Sequence, residues 1–137
     1  MPQRDANHDI VKRALEKDGW KVTHDPLTLN YKGLRVLIDL GAEKQIASSK
    51  IAVEIKVFEH GSDLSDFEKA AGQYGIYRYT IEGLGIPREL FLAVALETYK
   101  KFFQVPAVQE YVALNAIHLL IFNHETEEVV EWIRQKK

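Results

Sequence analysis

Three ionisable residues in two nearby stretches carry the chemistry this sequence has on offer: Asp39, and then Glu54 and Lys56 within Glu54-Ile55-Lys56. A strand puts residues i and i+2 on one face, so Glu54 and Lys56 project together while Val53, Ile55 and Val57 turn the other way. An acid and an amine inside the otherwise apolar run 51–58 are costly unless they pair, bind a metal or reach solvent. If the segment carrying Asp39 pairs with this strand, two carboxylates and one ammonium meet at one end of a sheet. Close carboxylates repel, and a cation relieves that repulsion. Mg²⁺ (or Mn²⁺) suits such oxygen donors, with the Ile55 carbonyl and water completing the set. The alternative is a salt bridge of Glu54 with Lys56 or a neighbour on a partly exposed strand, which contributes little.

The elements that must position these groups can be read from periodicity. Residues 5–18 predict a helix with Ala6, Ile10, Val11, Ala14 and Leu15 on one face, stopped by Gly19. Trp20 to His24 alternates as a strand, ended by Asp25-Pro26. Leu34 to Leu40 reads as a strand carrying Asp39 near its end and broken by Gly41. The run 50–58 reads as a buried strand, and the fourteen residues between Asp39 and Glu54 fit a hairpin. Residues 63–80 predict the clearest helix, with Leu64, Phe67, Ala71, Tyr74 and Arg78 in one stripe and Ser62 or Asp63 as N-cap. Asp63 and Asp66 suit the helix N-terminus, where negative charge is favoured.

Further on, 90–96 is an apolar strand, and 97–116 holds one or two short helices divided before Pro106. His118 to Asn123 is another strand, and 128–133 a closing strand or helical turn. No repeat or linker interrupts the chain. The expectation is one α/β domain over 1–137, a central mixed sheet flanked by helices. Glu43, four residues past Asp39, is either a supporting acid for the site or a charged loop residue.

Composition narrows the function. With no cysteine there is no disulfide, zinc-thiolate site or thiol nucleophile. His24, His60, His118 and His124 have no zinc spacing, and no glycine-rich phosphate loop is present. No apolar run approaches the roughly 20 residues of a membrane span, and the polar start lacks a signal-peptide core. A cytoplasmic protein without membrane attachment is expected. The net charge of −2 argues against strong non-specific DNA binding. Basic residues are dispersed apart from pairs such as Lys100-Lys101 and Lys136-Lys137.

Asp39 followed by Glu54-Ile55-Lys56 resembles the PD-(D/E)xK phosphodiesterase signature of the restriction endonuclease-like superfamily. That resemblance implies a restriction endonuclease-like core, Asp39 and Glu54 as metal ligands, and Lys56 and Gln73 as further catalytic residues. Gln73-Tyr74 matches a Gln-Tyr-like pair on the second helix of many members. On the first helix the superfamily often has Glu where counting back from Gly19 through Leu15 and Val11 gives His8. His8 is a departure, either a supporting group for the site or a cap at the core edge.

The runs Ala14–Trp20 (ALEKDGW), Thr23–Pro26 (THDP), Ile38–Lys44 (IDLGAEK) and Ile51–Lys56 (IAVEIK) are more specific still. With Ser65–Phe67, Gly72–Tyr74 and Glu127–Trp132 (EEVVEW), they are similar to the XisH family, the fdxN element excision controlling factors of cyanobacteria. The resemblance implies control of programmed DNA-element excision, with DNA, a XisI-like control protein and a site-specific recombinase as partners. It leaves oligomeric state open. It also leaves two classes of activity: a metal-dependent DNA endonuclease, or a non-catalytic DNA- or protein-binding module on a nuclease fold.

Overall fold

The computed structural model describes residues 2–46, 48–58 and 61–136, with side chains from residue 6 onward. His60 and Lys137 therefore lie outside the described residues. Helix α1 (Pro2–Lys17) buries Val11, Ala14 and Leu15 completely, the i, i+3, i+4 spacing of an amphipathic helix. It ends in a left-handed cap at Gly19 (φ 91°), with Trp20 N–H donating to Leu15 C=O and Gly19 N–H to Glu16 C=O.

Strand β1 (Lys21–His24) follows, then a hairpin of β2 (Leu27–Tyr31) and β3 (Leu34–Ile38). Its two-residue turn, Lys32-Gly33, has positive φ at both positions, the geometry that matches strand twist. Strands β4 (Leu40–Lys44) and β5 (Ser49–Ile55) form a second antiparallel hairpin. Helix α2 (Asp63–Leu84) leads to β6 (Glu89–Ala95). Helices α3 (Leu96–Lys101) and α4 (Pro106–Leu114), joined by a 3₁₀ turn, lead to β7 (Leu119–Asn123) and β8 (Glu128–Ile133).

The main sheet has six strands in the order β1-β4-β5-β6-β7-β8. The central pairs β5/β6 and β6/β7 are parallel; β1/β4, β4/β5 and β7/β8 are antiparallel. The fold is thus α/β with a mixed sheet flanked by helices, as expected. Parallel pairs need crossovers, which α2 and the α3–α4 segment supply.

Alternation along the strands divides the core in two. Val11, Leu15, Leu40, Ile51, Val53, Phe91 and Leu120 pack together on the α1 face. Ile38, Ala52, Phe67, Ala70, Tyr74, Leu92 and Ile121 pack on the α2 face. The β2–β3 hairpin closes over α2, where a β-carbon placed at Gly83 would lie 2.5 Å from the Tyr31 ring. Only glycine admits that approach without displacing the ring.

The structure corrects several expectations. Leu34 to Leu40 is not one strand: it bends at Asp39 and changes sheets, because Leu27–Ile38 is the last pair of one ladder and Leu40–Val53 the first of the next. Gly41 does not break the run but sits within β4, where its missing side chain leaves room for Arg88 and His24. β2 was not foreseen, since Lys32-Gly33 lacks the usual Asn or Asp of a tight turn. Leu64, expected on the buried stripe of α2, is exposed; Phe67, Ala70, Tyr74 and Ile81 form that stripe.

Candidate functional site

The bend between β3 and β4 is where the acids meet. The β4/β5 register places Asp39 opposite Glu54, one step beyond the Leu40–Val53 pair. Opposed residues of an antiparallel pair share a face. Glu54 alternates with Val53 and so lies on the same side as Ala52, the α2 side. Two reciprocal hydrogen bonds lock the arrangement. Ile55 N–H donates to Asp39 Oδ2 at 2.8 Å, and Asp39 N–H donates to Glu54 Oε1 at 3.2 Å. Each carboxylate takes a backbone donor that the ladder loses where the chain bends, which satisfies two N–H groups that burial would otherwise leave costly.

Glu54 is one of three buried polar or charged side chains among the described residues, with Asp66 and Thr80. A carboxylate in an apolar strand has to be satisfied by local donors, and backbone N–H groups are the strongest neutral ones at hand. Lys56, two residues on and facing the same side, is half-buried. Its ammonium makes no hydrogen bond or ion pair with protein among the described residues. The simple Glu54–Lys56 salt bridge is therefore not formed.

The donor set fits a hard divalent ion. Mg²⁺ is held through one or two carboxylates and keeps several waters, so Asp39, Glu54 and the Ile55 carbonyl are the right kind and number of donors. A cage of three or more His, Cys, Asp or Glu side chains, as a structural zinc site would need, does not occur among the described residues.

The other expected site residues make no hydrogen bond to this pair among the described residues. Gln73 is exposed on α2, and its side chain makes no hydrogen bond among the described residues. Its neighbour Tyr74 is structural. Fully buried, its hydroxyl lies 3.1 Å from the carbonyls of Leu90 and Ala116 and accepts the His118 N–H at 3.0 Å. Burial pushes that hydroxyl up to about 12. Tyr74→Phe strips partners from three backbone groups and should cost about 1–3 kcal/mol. A urea midpoint lowered at unchanged slope would show it; an unchanged midpoint would mean water replaces the hydroxyl.

Glu43 sits at the far end of β4 opposite Lys50 and Lys21, four residues, or about 13 Å, from Asp39. It supports Arg88 electrostatically, not the acid pair. His8 turns to Asp25: its Nε2 is 2.7 Å from Asp25 Oδ1, and Lys12 Nζ donates to Oδ2 at 3.1 Å.

Asp25 shows how its surroundings set its charge. Burial alone would raise its pKa, but the hydrogen bonds from Lys12 and His8 outweigh that, and the net shift is downward. A depressed carboxylate stabilises the fold above its unfolded value and loses that contribution as pH falls through the folded one. The wild-type and Asp25→Asn stability curves should therefore converge as pH drops below about 4. Parallel curves from pH 7 to 3 would contradict it.

Asp66 is at the N-terminus of α2 as expected, but the sequence did not announce its burial. It lies in the first turn of α2, where a solvated charge is normal, yet only 2% of it is exposed. A more telling signal was its place one step before Phe67 at the edge of the buried stripe.

Comparison with known proteins now bears on these residues. The XisH protein family model matches residues 1–130. The chain belongs to the XisH family. It is similar to the crystal structure of a XisH family protein from Nostoc punctiforme, at 43% identity over 93% of this chain and 98% of that one, with a TM-score of 0.88. It is also similar to an fdxN element excision controlling factor protein from Anabaena variabilis, at 41% identity over 94% and 98% respectively, with a TM-score of 0.89. A comparison with curated proteins finds no match. Asp39, Glu54, Lys56 and Gln73 all fall inside the XisH match, so the acid pair belongs to the family domain and not to an appendage.

Among the described residues no helix is long and apolar enough to cross a membrane.

Proposed function

We propose that this XisH protein acts in the control of DNA-element excision, and that Asp39, Glu54 and Lys56 form a divalent-ion site directed at DNA phosphodiesters. The excision role rests on likeness to the Anabaena variabilis controlling factor. The chemical reading rests on one observation: the reciprocal backbone bonds that hold the Asp39 and Glu54 carboxylates together at the bend. That arrangement fits a restriction endonuclease-like core of the PD-(D/E)xK kind.

In this reading Asp39 and Glu54 would hold Mg²⁺ or Mn²⁺, with the Ile55 carbonyl as a further donor. The ion, when bound, supplies Lewis-acid polarisation of the phosphate and a more acidic water. Lys56, unpaired among the described residues and on the Glu54 face, would orient the attacking water and offset charge that develops on the phosphoryl oxygens. The backbone bonds keep both carboxylates in place at no reorganisation cost during the reaction.

A second reading is supported by His8. It stands where the superfamily often has Glu and is held by Asp25, and among the described residues no third acid joins Asp39 and Glu54. A XisH chain that binds DNA, a recombinase or a XisI-like protein without cleaving would need none. Incubation of purified protein with supercoiled and branched DNA, in Mg²⁺, Mn²⁺ or EDTA, separates the two. The nuclease reading expects nicking in metal and none in EDTA. Intact DNA in both metals, with partner binding retained, would leave the non-catalytic reading.

A further inference from the structure

At the N-terminal ends of β6 and β7, two arginines line one pocket of 230 Å³. Its wall includes Tyr74, Arg78, Glu82, Arg88, Glu89 and His118. Arg78 donates through Nη1 to the Asn115 and Ala116 carbonyls at the end of α4, and its guanidinium lies 5.8 Å from the Tyr74 ring centre. Arg88 donates through Nη1 to the Ile51 carbonyl at 2.7 Å. These partners are neutral. Neither guanidinium has a carboxylate within ion-pair distance among the described residues.

The carboxylates nearby leave both guanidinium forks without an ion-pair partner among the described residues. Glu89 is held by Arg134, whose Nε and Nη2 donate to it at 2.7 and 3.1 Å. Glu82 is exposed, and Glu43 reaches Arg88 only through space. Burial lowers the pKa of the half-buried Arg88, as expected of a cation without a matched anion. A second cavity of 380 Å³ shares Arg78, Glu82 and Ala116 with the first and adds Lys136. Each arginine presents five donors in a planar fork, and the carbonyls described here use only Nη1.

We propose that the Arg78–Arg88 pocket binds a phosphate group, the tetrahedral anion that two such forks suit best. The phosphate comes either free or as the 5′-terminal phosphate of a DNA strand. The inference does not depend on the nuclease reading. Glu54 and Lys56 lie at the exit of β5, whereas this pocket opens at the entry of β6 and β7.

Calorimetric titration of the full chain with inorganic phosphate tests it, in EDTA and at constant ionic strength set by chloride. Saturable binding is expected. Arg88→Gln or Arg78→Gln should each weaken it about tenfold or more, the usual effect of losing a charge-assisted hydrogen bond. Lys100→Gln, which removes the same charge elsewhere on the surface, should leave it intact.

Anisotropy with a 5′-phosphorylated and a 5′-hydroxyl oligonucleotide identifies the source. A wild-type preference for the 5′-phosphate that vanishes in Arg88→Gln assigns the strand end; saturable phosphate binding without that preference assigns free phosphate. No saturable heat from wild type at millimolar phosphate would overturn the proposal. So would an affinity that neither arginine substitution alters. If Arg88→Gln does not fold, Arg78→Gln and the wild-type titration decide.

Discussion

Lys56→Ala is expected to lower the initial rate of Mg²⁺-dependent nicking by roughly 10²–10³, the usual cost of losing one preorganised group at a developing charge. The expectation follows from the proposed site and from where Lys56 sits. It is half-buried, shares the strand face of Glu54, and has no partner among the described residues. A half-buried amine with no partner among the described residues is free to meet a phosphate or water during function. DNA affinity should fall far less than the rate, because one cation among many phosphate contacts adds little to binding. Equal nicking by wild type and Lys56→Ala would mean that the cleavage comes from another site or from a contaminant.

The largest effect on stability should come from Phe91→Ala. Phe91 has no exposed surface and sits at the centre of the α1-side core. Its ring meets Trp132 edge-on at 4.9 Å and lies 5.7 Å from His118, with the Arg134 guanidinium 5.1 Å above it. Trp132 in turn packs on Trp20 at 5.6 Å, and both indoles donate to Asp18 Oδ2. Phe91 therefore joins β6 to β8, β1 and the end of α1. Truncation to alanine removes the ring and leaves a cavity that these aromatic neighbours cannot close, at about 3–5 kcal/mol. Against a total stability of about 5–15 kcal/mol, that is a large fraction of what holds the domain folded. Chemical denaturation would show it, and a loss under about 1 kcal/mol would mean that the aromatic cluster is not the joint described here.

How far the sequence revealed the fold depended on whether local chemistry decided each element. α1 was readable because Val11, Ala14 and Leu15 carry the full period and Gly19 stops it. The same holds for β5, β6 and β7, whose buried runs leave no alternative. The β2–β3 hairpin was hidden because Lys32 adopts a positive φ that the type of side chain does not announce. The split at Asp39 was hidden because pairing partners lie in two different ladders, a non-local fact.

The site was legible in the same uneven way. Glu54 and Lys56 could be placed on one face by alternation alone. Asp39 could be brought to Glu54 only if its segment paired there, and the register supplies that pairing. Gln73 and His8 came from resemblance, and the structure gives Gln73 to solvent and His8 to Asp25. Glu43 was judged by its distance in sequence, four residues, but along a strand that separation carries it away from Asp39 instead of back toward it. The arginine pocket had no sequence signal, since Arg78 and Arg88 lie on different elements and meet only through the crossover between α2 and β6.

Calorimetric titration of Mg²⁺ into the protein, compared with Glu54→Gln, is the most direct measurement of whether the bend is a metal site. Wild type should bind one ion saturably in the millimolar range or tighter, with a matching rise in melting temperature, and Glu54→Gln should abolish both. Absence of any saturable heat or thermal rise in wild type, or the same binding in Glu54→Gln, would contradict it.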